Sequence, residues 1–267
     1  MNDSVQERLN QALRTYTQEA SCFALMESSV QYSLLDGGKR IRPRLMLTVM
    51  ELLGGDVETA MPYACALEMI HCYSLIHDDL PAMDDDTERR GKPCNHIRFG
   101  EANAILAGDA LLTRAALVLS EQEGDPRAKT AMLAAALDMV RGQSLDLNET
   151  EVDRDTLKTI HSYKTGALFV AATTVPALLL GKTEQEEPMR QLGEKIGLLF
   201  QITDDILDAK QDALTHKPSY VTLWDEQTAK AEAKRVAKET LSLLAPYQNR
   251  AADELRALVE KMTERTN

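Results

Sequence analysis

The stretch EMIHCYSLIHDDLPAMDDDTERRGKP (Glu68 to Pro93) is an apolar, helix-patterned segment that ends in the carboxylates Asp78, Asp79 and Asp84. Carboxylates beside buried apolar surface are costly unless a cation pairs with them. Asp78 and Asp84 are six residues apart, and steps of ~100° put such a pair on opposite sides of an ideal helix. Pro81 resolves the conflict, because it disfavours helical geometry at Leu80 and removes a donor. The spacing therefore predicts a helix that ends near Leu80, with Asp84 swinging back beside Asp78. A second cluster, Asp204-Asp205-Ile206-Leu207-Asp208, closes another apolar helical segment. There Asp204 and Asp208 lie one turn apart on one helix face and would repel each other without a shared cation.

Donors that are all carboxylate oxygens, with no accompanying His or Cys, point to magnesium, which takes one or two carboxylates plus waters and substrate phosphates. Two facing clusters would hold a diphosphate between them. Cations suited to phosphate lie nearby: Lys39, Arg40 and Arg42 follow Gly37 and Gly38, and Arg89 and Arg90 follow the first aspartate cluster. The spacing is not that of a P-loop, and no G-x-G-x-x-G follows a strand pattern. Any one acidic or basic run reads most simply as a solvated helix end; their combination does not.

Composition bounds the rest. The chain has 267 residues and a formal net charge of -12, with a pI near 5.0, which argues against nucleic acid as a partner. Its length suits one large helical domain over 1–267, and no Pro/Ser-rich linker divides it. The polar start, Met1 to Gln11, carries no signal-peptide pattern, and the greasy run around Val175 to Leu180 is far short of the ~20 residues that span a bilayer. These readings imply a cytoplasmic protein without a membrane span. Asp125-Pro126 opens an apolar-rich helical segment through Val140, and Pro188 sits near the start of the segment that leads to the second cluster. Asp36-Gly37 reads as a loop between helices. His77 and His96 read as hydrogen-bonding residues rather than metal ligands. Cys22, Cys65, Cys72 and Cys94, without zinc-type spacing, read as reduced core thiols, and Trp224 as an isolated packing aromatic.

The segments GGKRIRP (Gly37 to Pro43), Glu68 to Pro93, FGEANAILAGDALL (Phe99 to Leu112), GQSLDL (Gly142 to Leu147), HSYKTGALF (His161 to Phe169) and GLLFQITDDILD (Gly197 to Asp208) together resemble the trans-isoprenyl diphosphate synthases, most closely the bacterial farnesyl diphosphate synthase group. The resemblance implies an all-α helical bundle around a deep central cavity, with both aspartate clusters near its mouth. It implies Mg2+ held by Asp78, Asp79 and Asp84 on one side of an allylic diphosphate and by Asp204, Asp205 and Asp208 on the other. Arg89 would contact the allylic diphosphate, and Lys164, Thr165 and Gln201 would stabilise it and the developing cation. Lys39, Arg42, His71 and Arg90 would bind isopentenyl diphosphate. The implied reaction is head-to-tail condensation with dimethylallyl or geranyl diphosphate to give farnesyl diphosphate, with geranyl or geranylgeranyl diphosphate as alternative products, in a homodimer. Tyr73, five residues before Asp78 and ~7.5 Å deeper along a helix, would block the growing chain, with Ser74 one turn below Asp78.

A terpene cyclase would share one aspartate motif but line its pocket with aromatics, which make up 4% of this chain. A noncatalytic prenyl synthase subunit would lack one cluster, and both are intact here. A plain magnesium-binding helical protein would show no turnover with the two diphosphates. The chain departs from the family after Asp208: Ala209 to His216 stands where a GKxxGxD loop precedes the segment read here as Lys217 to Tyr220, and Lys210 is not a secure substitute for the loop's lysine. The stretch between Ala136 and Val140 is also short. Either both are real deletions, or the sequence as written omits a mobile flap; we favour the flap, because a carbocation needs a lid.

Overall fold

The computed structural model describes residues 3–35, 37–215 and 218–264. The all-α expectation holds. Helices α1 (Asp3–Tyr16), α2 (Ala24–Leu34), α3 (Ile41–Leu52) and α4 (Val57–Asp78) lead to a two-stranded ribbon of β1 (Glu88–Arg89) and β2 (Lys92–Pro93). The chain continues through α5 (Asn95–Phe99), α6 (Glu101–Ser120), α7 (Pro126–Asn148), α8 (Arg154–His161), a π-helical turn at Ser162–Gly166 and α9 (Ala167–Leu179). It finishes with α10 (Thr183–Thr215), α11 (Tyr220–Leu223), α12 (Glu226–Leu244) and α13 (Arg250–Glu264).

Helix α4 is the core element. Asp56 caps it by accepting from the Glu58 amide, and Tyr63 through Ile70 are buried all the way round, as befits a helix enclosed by others. It packs against α3 and α6, while the still more apolar α9 packs against α3, α7 and α10. The crossings are close where glycine permits them. A Cβ on Gly108 of α6 would meet the His77 ring at 2.1 Å, and one on Gly142 of α7 would meet the Lys164 backbone nitrogen at 2.1 Å.

Helix α4 ends as Pro81 requires. The Asp84 amide donates to the Asp78 carbonyl at 2.9 Å, which is the predicted swing back. Asp125 caps α7 through the Arg127 amide with Pro126 in the first turn, and the helix runs eight residues beyond Val140, to Asn148. Pro188 lies in the first turns of α10. The ribbon was not legible as a hairpin, because its turn is Arg90-Gly91 rather than Asn-Gly; both residues have positive φ, 57° and 76°, as a tight hairpin turn needs.

The expectation of an omitted flap needs correction: past the second cluster the backbone stays helical from Ala209 to Thr215 as part of α10, and Ala136 to Val140 lies inside the unbroken α7, so both short stretches are continuous helix. The side chains of 210–213, with Lys210 among them, and the whole of Asp36, His216 and Lys217 lie outside the described residues. Two further sequence readings need correction. Cys22 is exposed, whereas Cys65, Cys72 and Cys94 are buried. Trp224 is not isolated: it stacks on Tyr220 at 4.8 Å with Arg154 4.9 Å from its ring. Among the described residues one helix, Glu101–Ser120, is long and apolar enough to cross a membrane, with 39% of its most apolar window buried. A search for unbroken apolar runs overlooks it because Asp109 and Arg114 interrupt the sequence.

Candidate active site

A cavity of about 390 Å³ opens between α4, α7 and the π-turn. Among its lining residues are Arg42, His71, Tyr73, Ser74, Asp78, Lys164 and Thr165, so seven of the side chains singled out from sequence share one space. Apolar Met83, Met139, Val140, Leu147 and Leu168 complete much of its wall. The π-turn matters here. Widening the helix by one residue per turn at Ser162–Gly166 presents Lys164 and Thr165 to the cavity, and such turns recur at functional sites.

Asp78 stands at the cavity edge. Burial raises its carboxyl from the ordinary 3.8 to about 6, Lys164 pulls it down, and Asp84 pushes it up. A desolvated carboxylate with a second one beside it is a site short of positive charge. Among the described residues no three His, Cys, Asp or Glu side chains converge into a metal cage. Magnesium does not require one, since waters and phosphate oxygens complete its shell, so the oxygen-only pair Asp78 and Asp84 fits a metal held jointly with a diphosphate.

A second group of residues carries positive charge. Arg42 is half-buried, 4.7 Å from the Phe169 ring centroid, with its Nη1 3.4 Å from His71 Nε2. Burial lowers its guanidinium to about 10, while Glu68 and Asp204 oppose that and Arg90 adds to it. His71 is held well below 6.5 by burial and then by Arg42, Arg90, Arg40 and Arg89, so it is neutral at pH 7. Gly38 brings the glycine loop against the ribbon: its φ is +89°, and a Cβ there would sit 2.7 Å from Arg90 Nη1. Clustered arginines around a neutral histidine make a site that an anion would relieve.

Other expected residues have different partners. Arg40 is not a phosphate contact. It is buried against Glu68 at 2.6 Å and holds a left-handed φ of 48°. Lys39 is exposed and borders a separate groove of about 470 Å³ between α3 and α13. Asp79 is buried and bonds Arg89 Nε at 2.6 Å, so both belong to an ion pair beneath the ribbon that Asp86 extends at 3.2 Å. Asp205 is buried and accepts from Gln201 at 3.0 Å and from the Tyr220 amide at 2.8 Å. Adjacent helix residues diverge by ~100°, so neither Asp79 nor Asp205 can share its neighbour's direction. Asp208 is exposed on α10. His77 hydrogen-bonds the Ile105 carbonyl at 3.1 Å.

Sequence reasoning gave no role to Gln143 or Asp146 within GQSLDL. Both amide atoms of Gln143 are buried without a hydrogen-bond partner, and the residue lines the cavity. Asp146 pairs with Lys164. The Gly142 contact was the available signal: a glycine inside a helix marks a close approach, and here the approach is to Lys164.

Known proteins share this frame. The polyprenyl synthetase family model matches residues 23–260. A geranylgeranyl diphosphate synthase of Cyanophora paradoxa is 41% identical over 262 residues, covering 90% of this chain and 87% of that protein. A farnesyl diphosphate synthase of Micrococcus luteus is 39% identical over 260 residues, covering 90% and 89%. The crystal structure of a geranyltranstransferase from Thermotoga maritima superposes with a TM-score of 0.88 at 33% identity, covering 97% of each chain. With a family model spanning most of its length and relatives this similar end to end, the chain belongs to the polyprenyl synthetase family, the trans-isoprenyl diphosphate synthases that its motifs resemble.

Proposed function

We propose that the protein condenses isopentenyl diphosphate with an allylic diphosphate, dimethylallyl or geranyl, and that its main product is farnesyl diphosphate. The observation that carries the reading is the cavity in which Asp78, Lys164 and Thr165 meet Arg42 and His71 beside an apolar wall. Breaking an allylic carbon to oxygen bond leaves a carbocation and pyrophosphate, so anionic charge must be stabilised while water is kept from the cation. Lys164 and Thr165 would hold the leaving diphosphate, and Asp78 with Asp84, and Asp204 with Asp208, would hold Mg2+. When bound, the metal neutralises charge that develops on the leaving group. Arg42, His71 and Arg90 would orient isopentenyl diphosphate, whose double bond attacks the cation before a proton is lost to the departing pyrophosphate.

Product length follows from Tyr73. It is buried and lines the cavity, which supports the reading that its ring would stop chain growth. A C20 product is the second reading, favoured by the geranylgeranyl synthase relatives. The proposal extends to a cytoplasmic homodimer: Ile105, Leu106 and Leu117 on α6 and Leu133 and Leu137 on α7 are exposed apolar residues that a second copy would cover. Purified protein incubated with magnesium, isopentenyl diphosphate and dimethylallyl or geranyl diphosphate should give farnesol after dephosphorylation. Asp78→Ala and Asp204→Ala should each lower that turnover by orders of magnitude, and near-normal turnover of either at saturating magnesium would sink the two-cluster mechanism.

A further inference from the structure

The second aspartate cluster and the segment that carries Lys164 are tied together by one side chain. Asp205 is 7% exposed, and three elements meet at its carboxylate. Oδ1 accepts from Gln201 Nε2 on its own helix at 3.0 Å. Oδ2 accepts from the backbone N–H of Tyr220, the first residue of α11, at 2.8 Å and lies 3.9 Å from Nε2 of His161, the last residue of α8. The two rings behind it touch: His161 and Tyr220 are 5.8 Å apart between centroids. Tyr220 in turn stacks on Trp224, whose ring faces Arg154 of α8, while Arg154 donates to the Leu223 carbonyl at 3.1 and 3.2 Å.

Four residues are too few for α11 to hold a helix on its own, so its position depends on these contacts and on its Ser219–Thr222 capping box. The π-turn with Lys164 begins directly after His161. Asp204, on the neighbouring direction of α10, acts instead on Arg42 at the cavity. A carboxylate with both oxygens already committed inside the protein is poorly placed to bind a metal as well.

We propose that Asp205 is a positioning residue: it locks α8 and α11 onto α10, and so sets where Asp204 and Lys164 stand relative to each other, rather than ligating magnesium. This rests on the reading of Asp204 as a magnesium residue.

The test compares Asp205→Asn, which keeps an acceptor but removes the charge, with Asp205→Ala and Asp204→Asn. Trp224 is the single tryptophan, so its fluorescence reports the α11 stack directly. Asp205→Ala should speed deuterium exchange at the Tyr220 amide at least tenfold and shift the Trp224 emission, Asp205→Asn should restore both toward wild type, and Asp204→Asn should change neither. In calorimetry with magnesium and inorganic pyrophosphate, Asp204→Asn should weaken binding tenfold or more and Asp205→Asn no more than threefold. Equal weakening by Asp205→Asn and Asp204→Asn, with Trp224 emission unchanged, would make Asp205 a ligand and overturn the proposal. Wild-type exchange at Tyr220 in Asp205→Ala would overturn it too. Should Asp205→Ala not fold, the pyrophosphate titration of the two Asn variants decides. If neither Asn variant weakens pyrophosphate binding, the metal reading of Asp204 fails, while exchange at Tyr220 still decides the role of Asp205.

Discussion

Asp78→Asn should stabilise the metal-free protein while it abolishes turnover. Burial lifts the Asp78 carboxyl from 3.8 to about 6, against the pull of Lys164 and with the push of Asp84. A group whose folded pKa lies above its unfolded value favours folding in its protonated form. That contribution is complete below pH 3.8 and is lost as pH rises through about 6. Above that pH the ionised carboxylate costs the fold roughly 3 kcal/mol, from a shift of about two units at 1.36 kcal/mol each. Asparagine keeps the shape without the charge, so the variant should melt about 5 °C higher at pH 8, given the entropy of unfolding of a chain this long. At pH 5 the unfolded carboxyl is ionised while the folded one is mostly protonated, so about half of that cost has already developed and the gap in melting temperature should shrink to about half of its pH 8 value. The assay is thermal unfolding by circular dichroism in EDTA across pH 5 to 8. A variant no more stable than wild type at pH 8, or equally stabilised at both ends, would refute the claim that Asp78 is held at the site against a desolvation cost.

Tyr73→Ala should lengthen the products and Ser74→Phe shorten them, read by chromatography of the dephosphorylated alcohols; the same distribution in both variants would remove Tyr73 as the floor. In Gly38→Ala the new Cβ would displace the Arg90 guanidinium and occupy a left-handed backbone at a cost of about 1 kcal/mol. The expected signature is a KM for isopentenyl diphosphate raised about tenfold or more with kcat nearly kept, since Arg90 would act in binding. Arg40→Ala leaves Glu68 buried without its partner and should cost about 3–5 kcal/mol in urea unfolding, far more than an exposed ion pair.

The sequence was most informative where a local rule acts through the backbone. Pro81 forces the end of α4, so the return of Asp84 to Asp78 could be read from spacing alone, and Asp125-Pro126 marked the start of α7 in the same way. Rules of this kind need no knowledge of distant residues. The motif GGKRIRP was legible as a cationic loop, but which arginine serves the site was not. Arg40 and Arg42 are two residues apart, and their division of labour is set by Glu68 on α4 and by Phe169 on α9.

By itself the sequence determined the helical class, the two acidic clusters, and the set of cationic and apolar residues from which a diphosphate site can be built. Tertiary structure alone decided direction. It turned Asp79 toward Arg89 and Asp205 toward Tyr220, gave the cavity the unpartnered amide of Gln143, and widened the chain into a π-turn at Lys164. The physical reason is that a motif lists side chains, whereas adjacent helical residues diverge by ~100°, and only the packing of other elements fixes which of two neighbours meets the ligand and which is buried as support.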